Sequence, residues 1–418
     1  MERIYACIDL KSFYASVEAV ERGLDPFKAN LAVADPSRGQ GAICLAVTPA
    51  MKALGIKNRC RLFEIPETIT YITAKPRMKR YMQYSAHIYS IYLKYVSKED
   101  IHVYSIDECF LDFTPYLNTY QKTPKEMAVM LINAVYEETG ICAAAGIGTN
   151  LFLAKIALDI TAKHTPDHIG YLDEAEFKRT IWHHRPITDI WNIGKGIAKR
   201  LERYGVRDLY GAAHMEEKIL YKEFGVNAEF LIDHAHGREP CTIKDIHAYE
   251  AKDRSVTQSQ ILFENYSYDD ALLVLKEMVD TLTLELRSRK LTTNSISMTI
   301  GYSKGEGSPS GGTRKLSERT DSYQELSREF QKFFHQTVRR GVPIRRIAVG
   351  ANHVQENSCR QLHLFCDPEA KEKENRLQDA VLSVKERFGK NAVVRGMSLQ
   401  DKATGRKRNI LIGGHNES

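Results

Sequence analysis

The sequence predicts a multidomain α/β (α+β) protein, and three observations predict it. The length of 418 residues exceeds what one hydrophobic core serves, so three or four domains of about 100–150 residues are expected. Over roughly the first 165 residues, short β-branched or aromatic runs alternate with runs of helical periodicity, the pattern of a sheet covered by helices. From about residue 250 a long helical stretch is again flanked by strand-like runs, so a second α/β region is expected there.

The elements follow in order. Ile4 to Ile8 is a short apolar run ending at an acid, Asp9, and reads as a strand; Ser12 is then placed to cap a helix carrying Phe13, Val17 and Val20 at helical spacing. Segment 31–72 is rich in small residues and turns and reads as an insertion that returns to the core near residue 72. IHVYSIDECFLDF (101–113) reads as a strand pair around a central Asp-Glu, and AAAGIGTN (143–150) as a further strand and its exit. Past Thr165-Pro166-Asp167 the pattern is helical to about 237, with Gly194, Gly196, Gly205 and Gly225 in its connections. Next come a helix over 269–287 and a strand through Ile296, Met298 and Ile300, with KGEGSPSGGTRK (304–315) as a mobile loop between strands. After about residue 357 a tail carries its own helix, with Leu377, Ala380, Val381, Val384 and Phe388 on one stripe and Gly389 as its stop.

Hydrophobic residues at 43% and charged residues at 27% are ordinary soluble usage and argue against long disorder. The net charge of +6 is compatible with a polyanionic partner without requiring one. Eight cysteines are scattered with no C-x-x-C pair, which indicates neither a zinc site nor a disulfide framework and fits a reducing cytoplasm. The amino terminus lacks the regions of a signal peptide and no run of 18 apolar residues occurs. A soluble, cytoplasmic protein with no membrane partner is expected.

Asp9 closes the first strand, while Asp107 and Glu108 sit in a strand-rich segment, where carboxylates cost burial energy unless paired or metal-bound. Three hard oxygen ligands at strand ends suit Mg²⁺, which binds through a few carboxylates plus substrate phosphates. Taken alone, an Asp-Glu pair is more simply a surface hairpin turn. Lys155 is the one charge in the apolar run Leu151 to Leu158 and must snorkel to water or meet an anion. His183-His184 and the pair His234, His236 lack a third ligand and read as structural or exposed.

The context of the acids decides between these readings. CIDLKSFYASVE (7–18) and YSIDECFLDF (104–113) resemble the two metal-binding motifs of Y-family DNA polymerases. The similarity continues through AVTPAMKALGI (46–56), GIGTNLFLAKIALDITAK (146–163) and ITDIWNIGKGIAKRLERYGV (187–206), in the family's order and spacing. RGMSLQDKATGRKRNILIGGH (395–415) further resembles the tail of the UmuC-like branch of Gram-positive bacteria. The resemblance implies a right-hand-like arrangement: palm at 1–18 and 72–167, fingers at 19–71, a helical thumb with a helix-hairpin-helix at 168–237, an α/β little finger at 248–357, and a clamp-interacting tail at 358–418.

It also implies an activity, error-prone translesion synthesis in the SOS-type DNA-damage response, in which a dNTP is added to a primer 3′-end with two Mg²⁺ ions. Asp9, Asp107 and Glu108 match the family's catalytic metal carboxylates and Leu10 the position contributing a backbone carbonyl. Phe13 and Tyr14 match the nucleotide floor, with Tyr14 as a steric gate that excludes a ribose 2′-hydroxyl. Lys155 and Lys52 match positions that grip the triphosphate, although several relatives have Arg at the latter, and Pro49 replaces a tyrosine of some branches. Gly194 and Gly196 would let backbone N–H groups approach a DNA phosphate; an ordinary helix-to-helix turn is the plainer reading. Arg287, Arg289, Lys290, Arg314, Lys315, Arg345 and Arg346 could together form a phosphate-binding face. Gln361, Leu362, Leu364 and Phe365, within QLHLF (361–365), resemble the peptide by which bacterial polymerases bind the sliding clamp (beta subunit). Primer-template DNA, dNTP and that clamp are the expected partners of a monomeric chain, accessory subunits being left open. Two other readings stay open on the sequence: a non-catalytic scaffold of the same fold, and another two-metal palm enzyme such as a nucleotide cyclase.

Overall fold

Residues Tyr5–Leu10 form β1, and every residue of it is buried except Asp9, which is half-buried at its end. A run apolar on both faces belongs inside a sheet. The structure, a computed structural model, describes residues 3–356 and 368–417. They divide into two compact units, one of residues 1–249 with the last residues of the chain and one of residues 250–416.

In the first unit β1 leads to α1 (Phe13–Val20), β2 (Leu31–Val33), β3 (Ala46–Val47), α2 (Pro49–Ala53), β4 (Ile72–Ala74) and α3 (Met78–Tyr92). Then come β5 (Ile101–Val103), β6 (Glu108–Asp112), α4 (Leu117–Tyr120), α5 (Pro124–Thr139), β7 (Ala143–Gly148), α6 (Leu151–Asp159) and β8 (Ile169–Leu172). The main sheet has the order β5-β6-β1-β7-β8, with β1 antiparallel to both neighbours and β7 parallel to β8 across α6. Helix boundaries follow local chemistry: Thr123 and Glu126 form a reciprocal capping box at the start of α5, Pro124 fills its first turn, and Gly140 ends it at φ 68. Ser12 departs from expectation. It precedes α1 at φ 51, in the left-handed region, and its hydroxyl caps nothing.

The insertion between α1 and α3 forms its own small sheet, β3-β2-β4, over a core that includes Ala32, Cys44, Val47, Met51, Leu62 and Ile65. Residues 168–237, expected to be helical throughout, begin instead with β8, because its buried Ile169, Gly170 and Leu172 find a parallel place beside β7. The rest of that segment is helical: α7 (Glu174–Thr180), α8 (Lys195–Glu202), α9 (Leu209–Ala213), α10 (Glu217–Phe224) and α11 (Ala228–Ala235). They share a core containing Phe177, Leu201, Leu209, Leu220 and Leu231. After them α12 (Ile243–Ala248) packs on β5 and β6.

The second unit is a sheet with helices on one face. It contains β9 (Val256–Tyr266), α13 (Tyr268–Ser288), β10 (Leu291–Tyr302), β11 (Ser310–Thr320), α14 (Tyr323–Thr337), β12 (Ile344–Asn352) and β13 (Gln355–Glu356). The strand order is β11-β10-β12-β9, with α13 and α14 burying Leu275, Leu282, Phe330 and Phe334 against Ile296, Met298 and Ile347. The loop expected over 304–315 is shorter: residues 310–315 already pair in β11. Gly311 makes that possible, since a Cβ there would meet the Met298 carbonyl oxygen at 2.0 Å.

The tail is folded too. It contributes α15 (Pro368–Phe388), α16 (Gly405–Arg408), β14 (Leu411–Ile412) and β15 (His415–Asn416). Buried Glu277 of α13 accepts the N–H groups of Thr404 and Gly405 at 2.8 and 2.9 Å. Arg287 lies in the same seam, half-buried, donating to both carboxylate oxygens of Asp379 and to Asp321 and Asn375. It therefore belongs to the packing of α15 and is not a free member of the expected phosphate-binding face.

Candidate active site

The antiparallel register of β1 and β6 sets Asp9 opposite Glu108. One step further, the Leu10 N–H donates to the Asp107 carbonyl at 2.9 Å. Asp107 does sit in a hairpin connection, β5 to β6, but Glu108 opens β6, an inner strand of the sheet, so both acids lie beside the end of β1. Ser105 donates its hydroxyl to Asp107 Oδ1 at 2.7 Å and steadies that side chain.

Burial and the charges of Asp107 and Glu108 push the Asp9 carboxyl up to about 7, with Lys155 opposing them. Crowding of like charges disfavours the ionised form, a cost that a bound cation would relieve. Among the described residues, no three His, Cys, Asp or Glu side chains are gathered as ready ligands about one point. The donor set nevertheless fits a hard cation that takes one or two carboxylates and fills its remaining positions with water and phosphate.

Behind the acids stands Lys155. Its Nζ is 2.7 Å from Glu108 Oε1 and 3.0 Å from Asp159 Oδ1, and the residue is only 7% exposed. Burial works against the ammonium, but Cys7, Glu108 and Asp159 outweigh it and hold it above its ordinary value. The Cys7 thiol also donates to Glu108 Oε1, at 2.9 Å. The lysine reaches this place because α6 lies unusually close to β7: a Cβ on Gly146 would fall 2.1 Å from the Ala154 carbonyl oxygen and the Leu158 nitrogen. Asn150 caps that helix by accepting the Leu153 N–H. The anion that Lys155 meets is thus a pair of protein carboxylates.

Phe13 and Tyr14, expected together on a nucleotide floor, part company. Phe13 is core at 2% exposure, whereas Tyr14 is half-buried. The phenol of Tyr14 is raised by burial and then by the charge of Asp107, which places it on the carboxylate side of the site. Its ring stacks on Tyr81 of α3, with centroids 4.5 Å apart and planes inclined by 20°.

Lys52 on α2 is exposed and its ammonium is lowered, by partial burial against the opposing pull of Asp9 and with the repulsion of Lys163. Lys11 is likewise lowered by burial, raised by Cys142 and Asp9, and lowered by Lys52. Lys52 and Lys11 thus both feel the charge of Asp9, and Lys163 neighbours Lys52; of the three, the sequence singles out only Lys52. Lys11 was available two residues after Asp9, and exposed Lys163 closes the same quoted segment that contains Lys155; nothing in the one-dimensional pattern ranks it above its neighbour.

Gly194 is the residue before α8, with no side chain capping that helix, and a Cβ at Gly194 or Gly196 would meet nothing within 4 Å. The helix start is open and packing does not demand either glycine. His234 is buried, stacked on Phe152 at 4.1 Å and bonded to Glu239, a structural role as expected. Gln361, Leu362, Leu364 and Phe365 lie outside the described residues. No helix among the described residues is long and apolar enough to cross a membrane.

Comparison with known proteins adds a second line of evidence. Residues 8–159 match the impB/mucB/samB family and residues 253–364 match the impB/mucB/samB family C-terminal domain. The chain is 32% identical to the putative UV-damage repair protein UvrX of Bacillus subtilis (strain 168), over 98% of this chain and 96% of the relative. It is 30% identical to DNA polymerase IV 2 of the same organism over 99% of each. Its fold is similar to that of the solved Y-family DNA polymerase chimera Dbh-Dpo4(243-245)-Dbh, with a TM-score of 0.64 at 20% identity, covering 85% of this chain and 100% of that one.

Proposed function

From the premise that this chain belongs to the impB/mucB/samB family and is a Y-family, DNA polymerase IV-like DNA-directed DNA polymerase, we propose that it performs error-prone translesion synthesis at the Asp9, Asp107 and Glu108 site. The observation that carries this reading is the register of Asp9 with Glu108 beside Asp107 at the end of β1. Asp9, Asp107, Glu108 and the Leu10 carbonyl would hold two Mg²⁺ ions, which supply acidification of the primer 3′-hydroxyl and charge neutralisation of the departing pyrophosphate.

The protein's own groups do the rest. Lys52, Lys163 and Lys11 bring positive charge to the rim where the triphosphate enters. The uncapped start of α1, between Ser12 and Tyr14, directs backbone N–H groups toward the same polyanion. Tyr14 presents the flat edge against which a ribose 2′-hydroxyl clashes. The open amino-terminal end of α8 at Gly194 and Gly196 takes a DNA phosphate without reading sequence. We assign the palm to the main sheet, the fingers to the β3-β2-β4 insertion, the thumb to α7–α11 and the little finger to the second unit. Gln361, Leu362, Leu364 and Phe365 tether the chain to the sliding clamp.

Primer extension with Mg²⁺ and dNTPs tests the reading on an undamaged template and on one carrying an abasic site. Extension past the abasic site by the parental chain is expected. Extension that stops at the site on every template would overturn the translesion assignment, and absence of extension from either template would overturn the catalytic one.

A further inference from the structure

The insertion between α1 and α3 brings together two cysteines that stand sixteen positions apart in the chain, Cys44 and Cys60. Ile43 pairs with Arg61 in an isolated antiparallel bridge. The bonds on either side of it fix the register: the Cys44 N–H donates to the Cys60 carbonyl at 2.8 Å and the Leu62 N–H to the Ala42 carbonyl at 3.0 Å. Cys44 and Cys60 are therefore directly opposite, on the same side of the ribbon, and their thiols are in hydrogen-bonding contact. Both are free thiols. Cys44 is 0% exposed inside the core of the insertion, whereas Cys60 packs against that core and keeps part of its surface in solvent. Burial, and after it the charge of Cys60, push the Cys44 thiol up to about 12. Of the two sulfurs, Cys60 is the one a dissolved oxidant reaches, and Cys44 is held in contact behind it.

We propose that Cys44 and Cys60 are a peroxide-sensitive dithiol, which closes to a reversible disulfide and ties together the two ends of the segment carrying α2 and Lys52. Cα atoms directly opposite in an antiparallel ribbon lie about 4.5–5.5 Å apart, inside the range of about 4.4–6.8 Å that a disulfide spans, so the bond can close on this backbone. The reaction has two stages. The Cys60 sulfur, as thiolate, attacks one oxygen of hydrogen peroxide; an S–O bond forms, the O–O bond breaks, and the departing hydroxide takes up the proton lost by the thiol, leaving a sulfenic acid and water. The Cys44 sulfur then attacks the Cys60 sulfur; the S–S bond forms, the S–O bond breaks, and the hydroxyl leaves with the Cys44 proton as a second water. The peroxide gains the two electrons that the two thiols lose. A small thiol reverses the bridge by exchange, as suits a transient, sensing bond in a reducing compartment. The ring so closed contains all of α2 (Pro49–Ala53), and it restrains the chain whenever this segment opens. None of this depends on what Lys52 binds.

Peptide mapping of the full chain tests this. The reduced protein is treated with hydrogen peroxide, its remaining thiols are alkylated, and it is digested with trypsin. Cleavage after Arg38, Lys52, Arg59 and Arg61 should release one species in which peptide 39–52 is joined to Cys60-Arg61, absent without peroxide and lost on adding a thiol reductant. In Cys44→Ala the reaction should stop at a Cys60 sulfenic acid, which a 1,3-dione reagent traps. Cys60→Ala should leave Cys44 unoxidised at the same dose, since peroxide in solution does not reach it. The oxidised parent should melt a few degrees above the reduced parent, a gain that Cys60→Ala does not show. Recovery of peptide 39–52 and Cys60-Arg61 separately, each alkylated, after a dose that oxidises glutathione in the same tube would overturn the proposal. Cys60 joined to a cysteine other than Cys44 would overturn it as well. A bridge that forms but fails to raise the melting temperature would show that the native geometry distorts to make it, and that too removes the site. The mapping and the melting comparison decide on the parental chain alone, so a variant that does not fold leaves the outcome intact.

Discussion

Lys155 Nζ stands 2.7 Å from Oε1 of Glu108, with both side chains 9% exposed. The resemblance of the surrounding segment implies a triphosphate as the partner of Lys155; in the structure its ammonium pairs with Glu108 and Asp159. A buried lysine held on two sides has a poor path to a ligand on the rim, where Lys52 and Lys163 are exposed. Lys155→Met is therefore expected to lower kcat by about tenfold or more by freeing a site carboxylate, with the KM for dNTP little changed. Lys52→Ala or Lys163→Ala should raise that KM by about tenfold, the worth of one charge-assisted contact. Steady-state single-nucleotide insertion separates the two patterns. A KM effect confined to Lys155→Met would restore it to the triphosphate.

Asp107→Ala and Glu108→Ala should each cut primer extension by roughly 10²–10³ or more, the scale seen when a preorganised electrostatic group is removed. Primer-template affinity should stay near the parental value, because phosphate contacts elsewhere supply most of it. Extension assays paired with fluorescence anisotropy on labelled DNA give both numbers. Near-parental extension in either variant would move the site away from β1 and β6.

Glu18 links α1 to pH. Burial pushes its carboxyl up, but hydrogen bonds from Arg77, Arg22 and Tyr81 outweigh that and hold it below its ordinary value of 4.5. The unfolded chain then takes up this proton first as pH falls, so the stabilisation is complete above about 4.5 and is lost as pH drops through the lower folded value. Melting temperatures measured from neutral pH down to about pH 3 should decline more steeply for the parent than for Glu18→Gln, which should already melt lower at neutral pH because Arg77 is left with a neutral partner. Parallel curves would show that Glu18 does not carry this linkage.

Leu364→Ala with Phe365→Ala should abolish stimulation of synthesis by the sliding clamp and leave clamp-independent extension of short primers intact. The apolar pair would act as the buried anchor of a short peptide and Gln361 as its orienting group, and tethering would keep a weak DNA binder concentrated at the primer end. Loss of both activities together, with a lowered melting temperature, would show instead that these residues pack within their own unit.

The sequence by itself determined the strands that begin and centre the sheet, the helices after Ser12, over 269–287 and in the tail, and the acids Asp9, Asp107 and Glu108. Each of these is written locally: an apolar run ending in a carboxylate, a stripe at helical spacing, or two acids inside a β-rich segment resist other local structures. Family likeness made the three acids candidate metal ligands, where the Asp-Glu pair alone reads as a hairpin turn, and added Tyr14 and Lys52, which composition and periodicity leave as one more aromatic and one more base. The rest depended on where the chain returns to itself. Gly146 permits α6 to touch β7, and only that contact turns Lys155 onto Glu108. Residues 169–172 become a strand because β7 has an open edge, and the glycines at 311 and 312 extend β11 through what reads as a loop. Arg287 looks like surface until α15 folds back and supplies Asp379 and Asn375. Tyr14 and Tyr81 are 67 positions apart in the chain, so no local pattern joins them; the packing of α3 on α1 does. Side-chain partners at such separations are fixed by packing and charge pairing, which act through space and leave no periodic trace in the sequence.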